Sequence, residues 1–281
     1  MNTNFLCLLA PAKVNLTLDV LGRRNDGYHD LCSIMASINL YDAITLSVAH
    51  EFALTWEGSC AAPPQEKNTA YLAAKAFYEQ TGRWCRIHIN KRIPIEAGLG
   101  GGSADAAAVL RGMQRLVGGV DDKSLFAIAR SIGADVPFCL MGGCALAEGI
   151  GEKLTPLPSP TLHLLLLKGT GGISTPALFN SLSLPCTHPD TAAALNALDG
   201  PPEILAPFLQ NSLQGPAISL VPEIGQLADQ LLNAGALVSF MTGSGSCVAG
   251  LFPTEADALA ALPSFDDIPF SMVCRTGAFA V

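Results

Sequence analysis

The stretch Ile93-Pro-Ile-Glu-Ala-Gly98-Leu-Gly-Gly-Gly102-Ser103-Ala-Asp-Ala-Ala-Ala108 is the most informative part of this chain. A β-rich segment at 86–93 precedes it, and the alanine-rich sequence predicts a helix over 103–117. Glycines let the backbone turn tightly and bring its N–H groups close to a ligand, and the start of a helix adds unpaired N–H groups and the positive end of its dipole. The stretch therefore predicts an anion site, with a polyphosphate as the expected ligand.

Two familiar nucleotide-binding motifs do not fit the spacing of these glycines. A dinucleotide fingerprint needs a third glycine where this chain has Ser103. A Walker-type P-loop needs Lys-Ser/Thr after its last glycine, but Ser-Ala follows Gly102, and Tyr28-His29 follows a second glycine pair at 22 and 27. A strand-to-helix turn without a ligand is the remaining alternative, although four clustered glycines destabilise a turn that does not need them. We therefore expect a glycine-rich phosphate loop of a different kind.

Composition restricts the classes of protein to which this chain can belong. Hydrophobic residues make up 49% of its 281 residues and charged residues only 14%, which excludes disorder. A net charge of −8 argues against a protein that binds nucleic acid through its phosphates. The segment 5–12 mimics a small signal peptide, but no Lys or Arg precedes it and its apolar run is too short, so we expect an opening β-strand there. No segment approaches a membrane span, and the nine cysteines lack the spacing of metal ligands. We expect a cytoplasmic protein with reduced thiols, no structural metal site, and neither nucleic acid nor membrane as a partner.

The order of the predicted elements indicates an α+β fold. Strands are predicted where apolar and β-branched residues alternate or cluster, at 16–20, 44–48, 86–90, 144–148, 162–167, 237–241, 247–252 and 271–275. Helical spacing predicts helices at 68–80 with Asn68 as N-cap, and at 103–117, 124–132, 176–182, 191–198, 204–213, 223–234 and 255–262. Prolines at 156, 158 and 160 interrupt this pattern, and we expect them to separate a domain at 1–156 from one at 157–281.

Three short segments outside the glycine loop carry residues with potential chemistry. Lys13 and Asn15 share one face of an apolar strand, where a lysine needs an anionic partner, although a lysine that protects a strand edge would look the same. Asp135 stands between the end of a helix and an apolar segment that we predict to be a strand, and alone it is equally a cap or turn residue. The segment 242–247 is a second loop of small residues, which alone is equally consistent with a hairpin turn.

Taken together, these segments resemble the three motifs of the GHMP kinase superfamily, in the same order. The motifs are Pro11-Ala-Lys-Val-Asn-Leu16, Pro94-Ile-Glu-Ala-Gly-Leu-Gly-Gly-Gly-Ser-Ala104 and Met241-Thr-Gly-Ser-Gly-Ser-Cys247. The resemblance spans essentially the whole chain. It implies an ATP-binding N-terminal domain like ribosomal protein S5 domain 2, and a ferredoxin-like C-terminal domain that closes the substrate cleft. It also implies phosphoryl transfer from ATP to an alcohol, with Mg²⁺ carried by the nucleotide.

The resemblance assigns roles to individual residues. Asp135 is implied to accept the proton of the acceptor hydroxyl, and Lys13 to pair with Asp135 and keep its carboxylate ionised. The residues implied to bind ATP are Asn68 in the adenine pocket, Lys91 close by it, Pro94, and Gly98, Leu99, Gly100, Gly101, Gly102 and Ser103 around the phosphates. The residues implied to bind the acceptor are Asn15, Tyr28, His29, Thr175, Phe179, Gly243 and Ser244. Asp105 lies in the first helical turn and is a possible Mg²⁺ ligand, but a role in complementing the helix dipole explains it equally well, so no protein ligand is assigned to the metal.

Further segments narrow the resemblance to members whose acceptor carries a cytidine diphosphate group. They are Gly22-Arg-Arg-Asn-Asp-Gly-Tyr-His29, Gly133-Ala-Asp-Val-Pro-Phe138 and Ala147-Glu-Gly-Ile-Gly-Glu152. Tyr28 and Phe179 can sandwich a planar base while His29 bonds the cytosine edge, although Tyr28-His29 as a plain turn is an alternative. The competing hypotheses are a kinase for homoserine, mevalonate or a sugar, and a non-catalytic relative that binds nucleotide. The expected oligomeric state of the chain is a monomer or a weak homodimer.

Overall fold

The longest strand of the protein, β3 (His29–Ala49), organises the first of two sheets. The structure is a computed structural model that describes residues 5–58, 61–182 and 191–281. The other strands of this sheet are β1 (Phe5–Asn15), β2 (Asp19–Arg23), β4 (Ala53–Gly58), β5 (Trp84–Lys91), β6 (Cys144–Gly149) and β7 (Lys153–Leu157). Strands β1, β2, β5 and β6 all pair antiparallel with β3, whereas β4 runs parallel to β5. The length of β3 therefore brings the start of the chain beside segments more than a hundred residues away.

Helices cover one face of this sheet. They are α1 (Thr69–Thr81), α2 (Gly101–Val117), α3 (Asp122–Ile132) and α4 (Val136–Met141). The buried side of α2 is rich in alanine, and its Gly112 lies so close to Leu8 and Leu46 that a Cβ would overlap both side chains. Small residues let this helix approach β1 and β3 closely, which places its first turn directly beside the strand that carries Lys13.

The second sheet has four antiparallel strands. In order across the sheet they are β11 (Phe270–Arg275), β8 (His163–Lys168), β10 (Val248–Phe252) and β9 (Val238–Met241). Leu164 and Leu166 of β8 pack in the core of the first sheet, whereas Leu165 and Leu167 pack in a second core. A strand buried on both faces reads as a continuous apolar run, which explains the four consecutive leucines. The helices of this part are α5 (Thr175–Asn180), α6 (Thr191–Ala197), α7 (Pro202–Leu205), α8 (Gln214–Leu220), α9 (Glu223–Asn233) and α10 (Glu255–Ala261).

The α+β class predicted from the sequence is confirmed, and three local predictions are wrong. The apolar segment after Asp135 is the helix α4, because Pro137 favours a first helical turn and a six-residue apolar run does not distinguish a buried strand from a buried helix. The helix predicted over 204–213 ends at Leu205 and is followed by one tight turn, since the proline at 207 cannot continue it. The strand predicted at 16–20 is interrupted, because β1 ends at Asn15 and β2 begins at Asp19.

Candidate active site

Lys13 and Asp135, far apart in the sequence, meet in a cleft of the structure. The pairing of β1 with β3 shifts register between Pro11 and Lys13, and the backbone N–H of Lys13 donates to the carbonyl of Leu99 in the glycine loop. The ammonium of Lys13, whose residue is only 3% exposed, lies 3.4 Å from Asp135 Oδ2. Asp135 precedes the first turn of α4, and its side chain is 37% exposed. A buried cation therefore faces a carboxylate that is accessible from the cleft.

Asn15 holds the Lys13 ammonium through a network that fixes the orientation of its amide. Ser33 Oγ donates to the carbonyl of Thr17 at 2.5 Å, so it is free to accept from Asn15 Nδ2 at 2.7 Å. The amide oxygen of Asn15 then faces Lys13 and accepts from its Nζ at 2.6 Å. The backbone N–H of Asn15 donates to Thr242 Oγ1 at 2.9 Å, which links β1 to the second small-residue loop.

The glycine loop needs its glycines for two physical reasons. Gly98 and Gly100 have φ values of 72° and 69°, in the left-handed region that residues with a Cβ rarely adopt. A Cβ on Gly100 would lie 2.9 Å from Lys13 Cγ, and one on Gly98 would overlap the carbonyl oxygen of Thr242. Gly100 is also the N-cap of α2, so the unpaired N–H groups at the start of that helix follow the loop directly. This arrangement agrees with the anion site predicted from the sequence.

A buried asparagine that sequence reasoning missed supports the second small-residue loop, residues 242–247. Asn211 Nδ2 donates to the carbonyls of Met241 and Gly243 at 2.7 and 2.8 Å, and its Oδ1 accepts from the N–H of Leu213 at 2.9 Å. The N–H groups of Ser246 and Cys247 in turn donate to the carbonyls of residues 96 and 97. The two loops are therefore hydrogen-bonded to each other, although nothing in the local sequence around Asn211 signalled this role.

Two cavities meet at these loops and contain most of the predicted site residues. The first, about 280 Å³, is lined by ten of them: Lys13, Asn15, Gly98, Gly100, Ser103, Asp135, Thr175, Phe179, Gly243 and Ser244. The second, about 450 Å³, is lined by Lys91, Pro94, Gly98, Leu99, Gly100, Gly101, Gly102, Thr175 and Ser244. Gly98, Gly100, Thr175 and Ser244 belong to both walls, and the hydroxyls of Thr175 and Ser244 are 2.7 Å apart. Residues predicted for the acceptor and for ATP thus line adjoining cavities that share one wall.

Two residues predicted to bind ATP are engaged in other contacts: Asn68 caps a helix, and Lys91 is bound by buried carboxyl groups. Asn68 is buried and caps α1 through its Oδ1, while its Nδ2 has no hydrogen-bond partner. Lys91 Nζ lies 2.5 Å from Asp42 Oδ2 and 2.7 Å from Asp105 Oδ2, so internal carboxylates hold the ammonium. The contact with Lys91 shows that Asp105 is a partner of a buried lysine, whereas the sequence had suggested a metal ligand or a group that complements the helix dipole. Glu96 is the remaining unusual position of the loop, since it has a positive φ of 51° without being glycine.

The aromatic residues predicted for the cytidine end do not form a sandwich in this structure. Tyr28 is 61% exposed and lines neither cavity, in a turn held by Arg24 and Asp26. The ring of His29 lies 5.1 Å from that of Phe179 between centroids, at an angle of 32°. Burial, and to a smaller extent the charge of Arg23, lowers the pKa of the His29 imidazole. A neutral ring at neutral pH can both donate and accept a hydrogen bond.

The described part of the chain offers no protein cage for a metal ion. Within residues 5–58, 61–182 and 191–281, no group of three His, Cys, Asp or Glu side chains is placed to bind one. The cysteines described are free, and burial raises the pKa of the Cys85, Cys144 and Cys247 thiols to about 12. In the same ranges, no helix is both long and apolar enough to cross a membrane.

Comparison with known proteins agrees with the geometry of the cleft. The family model of the GHMP kinases N terminal domain matches residues 68–143, and that of the GHMP kinases C terminal matches residues 191–266. The 4-diphosphocytidyl-2-C-methyl-D-erythritol kinase of Caldicellulosiruptor saccharolyticus is 43% identical over 264 residues, which cover 91% of each chain. The kinase of the same name from Clostridium acetobutylicum is 39% identical over 256 residues, covering 89% of this chain and 91% of its own.

Solved structures extend this comparison to the fold. The crystal structure of a 4-(cytidine 5'-diphospho)-2C-methyl-D-erythritol kinase superposes with a TM-score of 0.84 at 36% identity, covering 98% of this chain and 100% of its own. Homoserine kinase from Cytophaga hutchinsonii superposes with a TM-score of 0.77, covering 99% and 96%, but at 20% identity this likeness shows the fold alone. The chain therefore belongs to the GHMP kinases and, among them, to the family of the 4-diphosphocytidyl-2-C-methyl-D-erythritol kinases.

Proposed function

We propose that this protein transfers the γ-phosphoryl group of ATP to the 2-hydroxyl of 4-diphosphocytidyl-2-C-methyl-D-erythritol, a step in the non-mevalonate route to isoprenoid precursors. The observation that carries the proposal is the position of Lys13 and Asp135 in a cavity that shares the wall formed by Gly98 and Gly100 with a second cavity of about 450 Å³. Relatives at about two-fifths identity over nine-tenths of the chain bear the name of this kinase, which supports the choice of acceptor.

The reaction needs an oriented hydroxyl and a neutralised triphosphate, and the cleft offers groups for both. In the proposed step, a bond forms between the acceptor oxygen and the γ-phosphorus while the bond from that phosphorus to the β,γ-bridging oxygen breaks. The hydroxyl proton passes to the Asp135 carboxylate, which is half-exposed toward the cavity. The Lys13 ammonium, held by Asn15, lies where it stabilises negative charge on the acceptor oxygen and orients Asp135.

The ATP phosphates are assigned to the loop from Gly98 to Ser103, where backbone N–H groups and the positive end of α2 favour anions. Magnesium fits this assignment only as an ion carried by the nucleotide, because the described residues offer no cage and Asp105 is bound to Lys91. When bound, the ion neutralises phosphate charge, and the Ser103 hydroxyl is the protein group assigned to it or to a phosphate. The unpaired, buried Nδ2 of Asn68 supports its assignment to the adenine pocket.

At the acceptor end, Phe179 is assigned to stack on the cytosine ring and His29 to bond its edge. Their rings already touch, so a base would either displace one ring or extend the stack. Tyr28 is exposed in the adjacent turn, and it completes the proposed sandwich only if the turn approaches the bound base. Thr175 and Ser244, at the junction of the two cavities, and Gly243, in the wall of the first, are assigned to the methylerythritol end.

The test is the release of ADP by the purified protein with Mg²⁺-ATP and one acceptor at a time. Turnover is expected with 4-diphosphocytidyl-2-C-methyl-D-erythritol and not with homoserine, mevalonate or galactose. Phosphorus NMR of the product then shows whether the new phosphate is on the 2-hydroxyl. Turnover with one of the small acceptors instead would refute the cytidine assignment of His29 and Phe179. Binding of ATP without turnover on any acceptor would favour a non-catalytic nucleotide-binding relative.

A further inference from the structure

A buried triad of charged residues, Asp42, Lys91 and Asp105, lies beneath the glycine loop and takes no direct part in the proposed reaction. Asp42 is fully buried, and Lys91 and Asp105 are 6% and 2% exposed. The Lys91 ammonium bridges the two carboxylates at 2.5 and 2.7 Å. Taking three charged groups out of water is costly, and such clusters seldom contribute more stability than apolar packing would. Their position in the fold therefore calls for an explanation other than stability.

The triad connects three elements at the two ends of the glycine loop. Asp42, on β3, accepts from the backbone N–H groups of Arg92 and Ile93 through its Oδ1, at 2.6 and 2.9 Å, which fixes the chain where β5 runs into the loop. Asp105 lies in the first turns of α2, where the loop ends. Lys91 joins the two carboxylates, so one ammonium fixes the loop at its entrance and at its exit.

Lys91 also contacts the loop directly. A Cβ on Gly101 would lie 2.9 Å from Lys91 Nζ, so the ammonium sits against the backbone of the first residue of α2. Gly101 belongs to the loop from Gly98 to Ser103, whose N–H groups the proposed function assigns to the ATP phosphates. A shift of the ammonium would therefore move the groups that bind phosphate, without any contact between the ammonium and the nucleotide.

The two carboxyl groups of the triad differ in their hydrogen bonds. Asp42 accepts hydrogen bonds from three donors, whereas Asp105 Oδ1 has no partner. Burial, together with the neighbouring Asp42, raises the pKa of Asp105 to about 8, against the opposing effect of Lys91. With Asp105 protonated the triad is neutral, and it does not repel the phosphates that the loop above it is proposed to bind.

We infer that Asp42, Lys91 and Asp105 are positioning residues that hold the glycine loop and the first turn of α2 in the geometry that binds the ATP phosphates. This inference rests on the proposed function, since it takes the anion in the loop to be the triphosphate of ATP. It replaces the role predicted for Lys91 at the adenine pocket with an indirect one.

The test compares two substitutions at Asp105 by the affinity of the full-length protein for a non-hydrolysable ATP analogue with Mg²⁺. Asp105→Leu keeps the branched arrangement of side-chain heavy atoms, with bulkier methyl groups in place of the oxygens, and it leaves the Lys91–Asp42 pair in place but releases α2 from the ammonium. Asp105→Asn keeps a carbonyl oxygen that accepts from Lys91, and it resembles the protonated acid. Isothermal titration gives the Kd for the analogue, steady-state kinetics gives KM for each substrate, and thermal unfolding gives Tm. Leu231→Ala, in the second core on α9, is the matched control for lost stability.

For Asp105→Leu we expect the Kd for the analogue and the KM for ATP to rise about tenfold, because a misplaced set of charge-assisted hydrogen bonds loses roughly that factor. The KM for the acceptor should change by less than about twofold, since neither Asp105 nor its partner Lys91 lines the first cavity, which is assigned to the acceptor. Asp105→Asn should restore most of the affinity. Should Asp105→Leu fail to fold, Lys91→Met with the same readouts carries the test.

Two results would overturn the inference. One is a folded Asp105→Leu protein whose Kd for the analogue lies within twofold of wild type. The other is an equal loss of affinity in Leu231→Ala at a matched drop in Tm. The proposed function fails independently, when the wild-type protein binds the analogue but phosphorylates no acceptor, because the binding measurement needs no acceptor.

Discussion

Replacing Lys13 by methionine should separate the activity of this protein from its stability. The substitution keeps an unbranched side chain but removes the ammonium that lies 3.4 Å from Asp135 Oδ2. At an effective dielectric constant of about 20, two unit charges at this 3.4 Å distance attract each other by about 5 kcal/mol. Because the Asp135 side chain is 37% exposed, solvent reduces this attraction to about 1 kcal/mol in the resting protein.

The catalytic contribution of Lys13 is expected to be larger than this ground-state value. During transfer, negative charge grows on the acceptor oxygen inside a cavity of about 280 Å³ from which a bound substrate excludes water. Removal of one charge-stabilising donor from such a site typically costs about 10²- to 10³-fold in kcat, or roughly 3–4 kcal/mol. We therefore expect kcat of Lys13→Met to fall by that factor.

Stability should respond differently to the same change. The ammonium is buried, yet its partners are one neutral amide and one half-exposed carboxylate, which only partly offset its lost hydration. A methionine side chain does not have this desolvation cost. The substitution does, however, leave the Asn15 amide oxygen without its Lys13 donor, which costs about 1–2 kcal/mol. The free energy of unfolding should therefore stay within about 1 kcal/mol of wild type or increase, as is common when a strained functional residue is removed.

The assay combines ADP release under saturating substrates with urea unfolding of the same preparations. Lys75→Met, at an exposed position of α1, is the matched control and should leave both quantities unchanged. The reasoning is refuted if Lys13→Met keeps more than about a tenth of wild-type kcat, a loss below 1.4 kcal/mol. It is also refuted if activity is lost only because the protein unfolds, since that would make Lys13 a structural residue.

Three further predictions concern other parts of the cleft. Asp135→Asn should lower kcat at least about 100-fold while the Kd for an ATP analogue stays within about threefold, measured by ADP release and titration; full turnover would remove Asp135 as the base. Gly98→Ala should lower the free energy of unfolding by at least about 2 kcal/mol, measured in urea, and should weaken ATP binding, because the strain of a left-handed alanine adds to its overlap with Thr242. Gly82→Ala controls for the backbone strain alone, since Gly82 has a φ of 66° and no neighbour within 4 Å. The pKa of Asp105 is raised from 3.8 to about 8, so between these pH values the native state binds more protons than the unfolded state. The free energy of unfolding should therefore fall as pH rises from about 4 to 8. Urea unfolding at several pH values checks this, and Asp105→Asn should show a smaller fall with pH than wild type.

Secondary structure was predictable where one local signal dominated. Helix α1 begins after Asn68 as predicted, because the cap and the helical spacing agree, and the buried leucines of β8 were identified as a strand. The 21 residues of β3 were reduced to a five-residue strand, since its alternation is interrupted and its length depends on pairing with four other strands. Short elements such as β4 and β7 were missed, because their residues are largely exposed and carry little apolar pattern.

The candidate site was predictable to the extent that it consists of sequence motifs. Lys13, Asp135 and the two small-residue loops come together because β3 and α2 bring their elements together, which no local pattern specifies. Asn211 and Ser33 escaped notice because each acts through hydrogen bonds to residues distant in the sequence. A single polar residue of that kind has no spacing signature, so only the structure can identify it.

The glycine loop was identified from the sequence, but the role predicted for its neighbour Lys91 was incomplete. The resemblance to the GHMP kinases implies that Lys91 binds ATP, close to Asn68 at the adenine pocket. The structure places two carboxylates around it, one from β3 and one from α2, and both are buried. Lys91 lines the second cavity, but its ammonium is already paired at 2.5 and 2.7 Å, so we infer that its influence on ATP passes mainly through the backbone that it holds. On this inference, ATP binding by the loop depends mainly on its N–H groups, and the buried charges beneath them determine where those groups point.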